Sequence, residues 1–284
     1  MSCQMYLDGP HDPKKLIESV RYKEDFYRNH PGYFHPEGLL VFTGGQGSGK
    51  TISAVCYVLQ VLQEYPKCIL CTDIAFKTYP FNSYYVLKEK EINGIHHTFV
   101  SYKSIVSHKR LRTVDLYFVN GEQICNIKDY PGNDGYIQPL VIQYDGLNCI
   151  TDITNGYFGV LYCKDEIHLE LNSLESKNIS PEVMTEVSQQ RKQRKHIVGT
   201  SQKYGRLAKP VREQIKNAVL CSEILSLIQV NFLIDGDKSV EKDGVLVSTE
   251  TVKRYVWFHT PELYQEYDTY AKMKRYRKEW KGKE

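Results

Sequence analysis

The sequence predicts an α/β fold built on a mainly parallel sheet. Two observations carry this reading. First, the apolar run Gly38-Leu39-Leu40-Val41-Phe42 leads into Gly44-Gly45-Gln46-Gly47-Ser48-Gly49-Lys50-Thr51, and an apolar-periodic stretch follows from Ile52 to Leu62. That is strand, glycine loop, helix. Second, the alternation returns later, with the apolar run Phe158–Cys163, a helix opening at Ser180-Pro181 and the run Ile197–Thr200. Strands joined through helices need crossover connections, which make neighbouring strands parallel.

In chain order, residues 1–37 read as a polar extension with one short helix near Pro13 to Tyr27. Residues 38–217 read as the core. It opens with the strand, loop and helix above and a second strand at Cys68–Thr72. Residues 79–150 read as a β-rich insertion, with Asn120-Gly121 as a hairpin turn and Pro131-Gly132-Asn133-Asp134-Gly135 as a further turn cluster. The core then resumes with Phe158–Cys163, a helix over Pro181–Lys195 capped by Ser180, and the strand Ile197–Thr200. Residues 218–284 read as a C-terminal β/helical extension: strands around Asp235-Gly236-Asp237, a helix from Pro261, and the basic tail Lys272 to Glu284.

Composition narrows the class. A chain of 284 residues with 41% apolar and 25% charged residues can bury a real core. The net charge of +3 does not by itself indicate a nucleic-acid partner. Tyrosines, 22 of them, serve as stacking surfaces or as half-buried strand positions. The eight cysteines stand mostly in apolar runs, the usage of small buried hydrophobes in a reducing compartment. Cys68-Ile69-Leu70-Cys71 has metal-like spacing but no second pair. No secretory leader is visible, and no stretch approaches the ~18 apolar residues of a membrane span. A cytoplasmic protein without its own membrane span is expected.

The chemistry lies in four places. Glycines at 44, 45, 47 and 49 let successive backbone N–H groups turn inward around an anion, and the helix opening at Lys50 adds its positive end. In such a loop Lys50 reaches the β- and γ-phosphates of a nucleoside triphosphate, and Thr51 offers a hydroxyl to Mg²⁺. Lys164-Asp165-Glu166 follows the strand Phe158–Cys163, where the metal partner of such a loop belongs. Asp165 is the expected metal ligand and Glu166 the general base. Gln202, after Ile197–Thr200, is either a γ-phosphate sensor or a surface amide. Arg191, Arg194, Arg206 and Arg212 flank that strand and serve either as fingers reaching a neighbouring subunit's phosphate or as solvated residues.

These residues resemble the zonular occludens toxin-like branch of the HerA–FtsK ATPases. The likeness is carried by the glycine loop, by Asp165-Glu166-Ile167-His168, by Arg194-Lys195-His196-Ile197-Val198-Gly199-Thr200-Ser201-Gln202, by Gly205–Gln214 and, more loosely, by Tyr267-Asp268-Thr269-Tyr270. It implies a RecA-like P-loop NTPase core, ATP and Mg²⁺ as cofactors, and a homo-oligomeric ring, usually a hexamer, that moves DNA through its channel. By the same resemblance Lys50, Thr51, Asp165 and Glu166 bind and hydrolyse ATP, Gln202 is the sensor, and Arg194 is the best finger position, with Arg191 beside it. Viral genome packaging is the expected role, with a capsid or membrane protein as a further partner. Virion-extrusion members carry a membrane span that this sequence lacks. A superfamily 2 helicase, suggested by Asp165–His168, needs a second RecA-like domain. A filamentous-virion assembly or extrusion ATPase and a nucleotide switch that moves no DNA are the two alternatives. Expected backbone contacts to DNA lie in His108-Lys109-Arg110-Leu111-Arg112 and in Lys272, Lys274, Arg275, Arg277, Lys278, Lys281 and Lys283, interleaved with Tyr276 and Trp280.

Overall fold

The structure is a computed structural model describing residues 24–30, 32–36, 38–77, 82–92, 95–106, 110–119, 122–123, 140–143, 150, 153, 155–236, 239–242, 245–248 and 251–268. The chain divides into two units, Met1–Tyr33 and Phe34–Glu284. In the first, residues 24–29 are helical and the Phe26 ring stacks on His30 at 4.2 Å between centroids. The rest of the helix expected from Pro13 lies outside the described residues.

The second unit is organised by one sheet. Its parallel part consists of β1 (Gly38–Thr43), β2 (Ile69–Thr72), β7 (Leu140–Gln143), β8 (Val160–Lys164), β9 (Lys195–Ser201) and β10 (Asn217–Ile224), side by side in the order β10-β1-β9-β8-β2-β7. β11 (Ile228–Asp235) and β14 (Thr251–Phe258) extend it antiparallel beyond β10. β3 (Asn82–Ile92), β4 (Ile95–Val106), β5 (Arg110–Val119) and β6 (Glu122–Gln123) form an antiparallel meander on the other side, joined to β7 through Asn82 and Ile142. The 79–150 segment therefore contributes a core strand, β7, besides its meander. Asn120, Gly121 and the 131–135 cluster lie outside the described residues, as do His108 and Lys109. The strands β12 (Ser239–Lys242) and β13 (Val245–Ser248) pair as a separate ribbon.

Two helices cover the faces of the sheet. α1 (Lys50–Glu64) buries Ile52, Val55, Val58 and Leu62 against Phe42, Leu70, Leu161, Val198 and Val219. The spacing of those helix positions is that of one helical face. α2 (Pro181–Gln193) buries Val183 and Val187, four residues apart, against Leu39, Val41 and Ile197. Adjacent strand residues point to opposite faces, so β1 sends Leu39 and Val41 to one core and Phe42 to the other. The short helices α3 (Lys209–Arg212) and α4 (Pro261–Gln265) follow β9 and β14.

Several boundaries differ from the sequence expectation. β8 begins at Val160, because Gly156–Phe158 forms a 3₁₀ turn and Gly159 has φ +71°. A Cβ at Gly159 would overlap the Phe34 ring. α2 ends at Gln193: Arg194 is left-handed, with φ 53°, and Lys195 opens the wholly buried β9. The 219–259 region turns first at Leu225 and Ser226, with φ 53° and 54°, before it reaches Asp235. Neither residue is the glycine or asparagine that announces such a turn. α4 stops at Gln265, and the basic tail lies outside the described residues. Among the described residues no helix is long and apolar enough to cross a membrane.

Lys195 is 1% exposed, and its Nζ donates to the Ile150 carbonyl and to Glu186 Oε2, both at 2.6 Å. Lys195→Met leaves the Glu186 carboxylate without its cation and is expected to lower stability by about 3 kcal/mol in urea denaturation. Adding Glu186→Gln should recover part of that loss; strict additivity of the two changes would refute the pairing.

Candidate functional site

The glycine loop leaves β1 and enters α1 at Lys50. Gly49 caps the helix with φ 75°, and neither a side-chain cap nor an acid in the first turn satisfies the helix's opening N–H groups. The contrast with α2, capped by the Ser180 hydroxyl, and α4, capped by Thr260, is direct. An uncapped helix start with left-handed glycines before it suits an anion. Gly49 also passes so close to the buried Gln229 side chain that a Cβ would overlap Gln229 Oε1. The Lys50 Nζ donates to the Gly45 carbonyl at 2.7 Å, folding the ammonium over its own loop. Gly45, Gln46 and Gly47 are exposed, while Gly44 and Ser48 are half-buried at the base of the loop.

Asp165 and Glu166 stand just beyond the carboxyl end of β8. The Thr51 hydroxyl donates to Asp165 Oδ1 at 3.1 Å, and the Thr200 hydroxyl donates to the same oxygen at 2.7 Å. Thr200 Oγ1 in turn accepts the Glu166 N–H at 2.9 Å. The Asp165 N–H donates to Asp73 Oδ1 at 2.8 Å, and Lys164 pairs with Asp73 Oδ2 and Glu170 Oε1, each at 2.7 Å. Burial works against the Lys164 charge, but the Asp73 carboxylate and the hydrogen bonds to Asp73 and Glu170 outweigh it and raise its pKa. Burial, reinforced by Asp73 and Asp165, likewise pushes the Cys163 thiol well up.

The donors fit a hard divalent cation. Thr51 and Asp165 present oxygen to one point, and among the described residues no group of three or more His, Cys, Asp or Glu side chains forms a cage. A magnesium ion held there would take its other ligands from phosphate and water, its usual habit beside phosphates. Cys68 and Cys71, by contrast, are buried in the two opposite cores, which separates their sulfurs across the sheet.

Glu166 adopts a left-handed conformation with φ 55°, and the tip of β9 surrounds it. Gln202 Nε2 lies 3.5 Å from Glu166 Oε1, and His168 Nδ1 lies 3.2 Å from Glu166 Oε2. Arg206 Nη1 donates to Gln202 Oε1 at 3.2 Å and to His168 Nε2 at 3.4 Å. Ser201 Oγ, which donates to the Lys203 carbonyl, also meets His168 Nδ1 at 3.2 Å. Arginine only donates, so the neutral His168 ring carries its proton on Nδ1 and donates it to Ser201 Oγ, while Glu166 Oε2 lies 3.2 Å away without a hydrogen bond. The arrangement fixes a carboxylate that can take a proton from water. Arg191 and Arg194 are elsewhere: they precede β9, whose far end carries Gln202, so they stand at the opposite end of that strand from the loop.

Thr200, Asp73, Lys164, His168 and Gln229 were not singled out from the sequence as site residues. For His168 and Lys164 the available signal was adjacency to Asp165-Glu166. For Thr200, Asp73 and Gln229 nothing short of the strand pairing identifies them.

No family model matches the chain, and no curated protein matches it in sequence. Its fold is similar to several solved structures, among them these two. The N-terminal domain of zonular occludens toxin from Neisseria meningitidis shares 13% identity over 82% of this chain and 100% of that one, with a TM-score of 0.46. The genome packaging NTPase B204 from Sulfolobus turreted icosahedral virus 2, in complex with ATP-gammaS, shares 11% identity over 80% and 98%, with a TM-score of 0.41.

Asp73→Ala takes the acceptor from the Asp165 N–H and one of two carboxylates from Lys164. It is expected to cost about 2–4 kcal/mol, read from the urea midpoint. A midpoint unchanged from the parent protein would mean that the Asp73 contacts do not hold the Asp165 turn.

Proposed function

We propose that the chain is an ATPase that couples nucleotide hydrolysis to the movement of DNA, as a genome-packaging ring would. The observation that carries the ATPase reading is the bond from Thr51 to Asp165, which brings the glycine loop and the end of β8 to one point. When bound there, magnesium-ATP would supply a terminal phosphoryl group for transfer to water. The chain's own residues do the rest. The amides opening α1 and the Lys50 ammonium bind phosphate oxygens. Thr51 and Asp165 hold the metal. Glu166, held at one oxygen by the Gln202 amide and with its other oxygen unbonded beside His168, orients a water and accepts its proton. Arg206 is placed to pass a change at Gln202 on to His168.

The DNA half of the proposal rests on the resemblance carried by Asp165–His168 and Arg194–Gln202 and on the basic residues of the chain's end. In a ring, Arg191 and Arg194 would serve a neighbour's site, since their own lies at the other end of β9.

Lys50→Ala should abolish ATP binding while the thermal midpoint stays near that of the parent. Glu166→Gln should bind ATP but hydrolyse it at least ~10²-fold more slowly. Normal turnover in both folded variants would remove the site assignment.

For the coupled substrate, DNA should raise the ATPase rate, and its binding should be independent of sequence. The log–log dependence on salt should have a slope near −0.9 per duplex phosphate neutralised, flattened by deleting 272–284. If neither single-stranded nor duplex DNA binds at low salt or alters turnover, the chain is a nucleotide switch instead.

A further inference from the structure

The proposed site has a direction. Its hydrolytic groups, Asp165, Glu166 and Gln202, all lie at the ends of β8 and β9, on one side of β1. A triphosphate whose terminal phosphate is drawn to that side extends its nucleoside toward the other side, over β10, β11 and β14. At that end of the sheet stands a cluster of rings that the hydrolytic chemistry does not use. β14 brings Trp257 opposite Gln229, His259 follows β14, and Tyr264 projects from α4.

These rings are tied to the glycine loop. Gln229, fully buried, donates from Nε2 to the Ser48 carbonyl at 3.0 Å and to the Ser222 carbonyl at 3.1 Å. Its Oε1 meets His259 Nε2 at 3.1 Å, and His259 Nδ1 meets the Tyr264 hydroxyl at 2.6 Å. An amide oxygen only accepts, so His259 carries its proton on Nε2 and receives the Tyr264 proton at Nδ1. The imidazole is locked at both nitrogens. Trp257 and His259 lie 5.0 Å apart between ring centroids at 35°, and His259 and Tyr264 5.6 Å apart at 73°. Trp257 and His259 are half-buried and Tyr264 is 45% exposed, so aromatic surface faces solvent beside the loop. A rigid, uncharged, partly exposed aromatic group suits a flat heteroaromatic ring.

We propose that Trp257, His259 and Tyr264 form the platform on which the base of the bound nucleotide stacks, with Gln229 setting its position relative to the phosphate loop. This rests on the reading of the loop as a nucleoside triphosphate site, and the test separates the two. Tripolyphosphate offers the phosphates without a base. Calorimetric titration of the full chain with ATP and with tripolyphosphate should show both binding, ATP more tightly. His259→Ala and Tyr264→Ala should weaken ATP about ten-fold or more, the usual worth of a base–aromatic stack, and leave tripolyphosphate unchanged. Tyr264→Phe, which keeps the ring but removes the hydroxyl that holds His259 Nδ1, should weaken ATP less than Tyr264→Ala does. The chain has two tryptophans, Trp257 and Trp280. In a Trp280→Phe background, ATP but not tripolyphosphate should change the Trp257 fluorescence. Equal losses for both ligands, or no loss for ATP in folded His259→Ala and Tyr264→Ala, would overturn the platform and leave the phosphate site standing. Failure of the unchanged protein to bind either ligand would remove both.

Discussion

The site depends on one joint: Asp165 Oδ1 receives hydrogen bonds from the Thr51 hydroxyl at 3.1 Å and the Thr200 hydroxyl at 2.7 Å. β1 and β8 are not neighbours, because β9 runs between them. The joint therefore closes only if three strands end at the right level. Pairing of Thr43 with Ser201 and of Lys164 with Gly199 sets those levels. A slip of one residue would turn Thr200 to the other face and withdraw the shared donor. The buried Asp73, paired with the half-buried Lys164, steadies the same turn from the β2 side.

Legibility in the sequence followed the distance over which a feature acts. The glycine loop was readable because all of its determinants lie within eight consecutive residues, and its flanking strand and helix have different periods. Asp165 and Glu166 were readable because a short apolar strand ends in acids. Thr200, Asp73 and Gln229 were not: their roles arise from strands brought together across long stretches of chain, and no local pattern marks a threonine as a hydrogen-bond bridge. β7 escaped because four residues, Leu140 to Gln143, carry too little period to separate a core strand from the insertion around them.

The boundaries failed for local steric reasons. The helix over Pro181–Gln193 was foreseen, but its end was not, since Arg194 takes a left-handed conformation that composition does not announce. The hairpin between β10 and β11 turns through Leu225 and Ser226, also left-handed. Two non-glycine residues in that region are held by the ladder on both sides, which runs without interruption from Asn217 paired with Asp235 to Ile224 paired with Ile228. Surrounding pairing, rather than the preference of the turn residues, decides the conformation.

The parallel sheet also has a temporal side. Thr51 and Asp165 are 114 positions apart, and Gly38 and His196, bonded across β1 and β9, are 158 apart. The strand that carries the phosphate loop is made early, yet both its neighbours, β9 and β10, come from residues beyond 194. While the chain is being synthesised, β1 and the apolar face of α1 wait without their sheet partners until most of the polypeptide exists. Non-local pairing of this kind slows folding and leaves apolar strands open to wrong partners in the interval. The order of the strands thus leaves the newborn chain in need of shielding until β9 and β10 have been made, and withholds competence for chemistry until then.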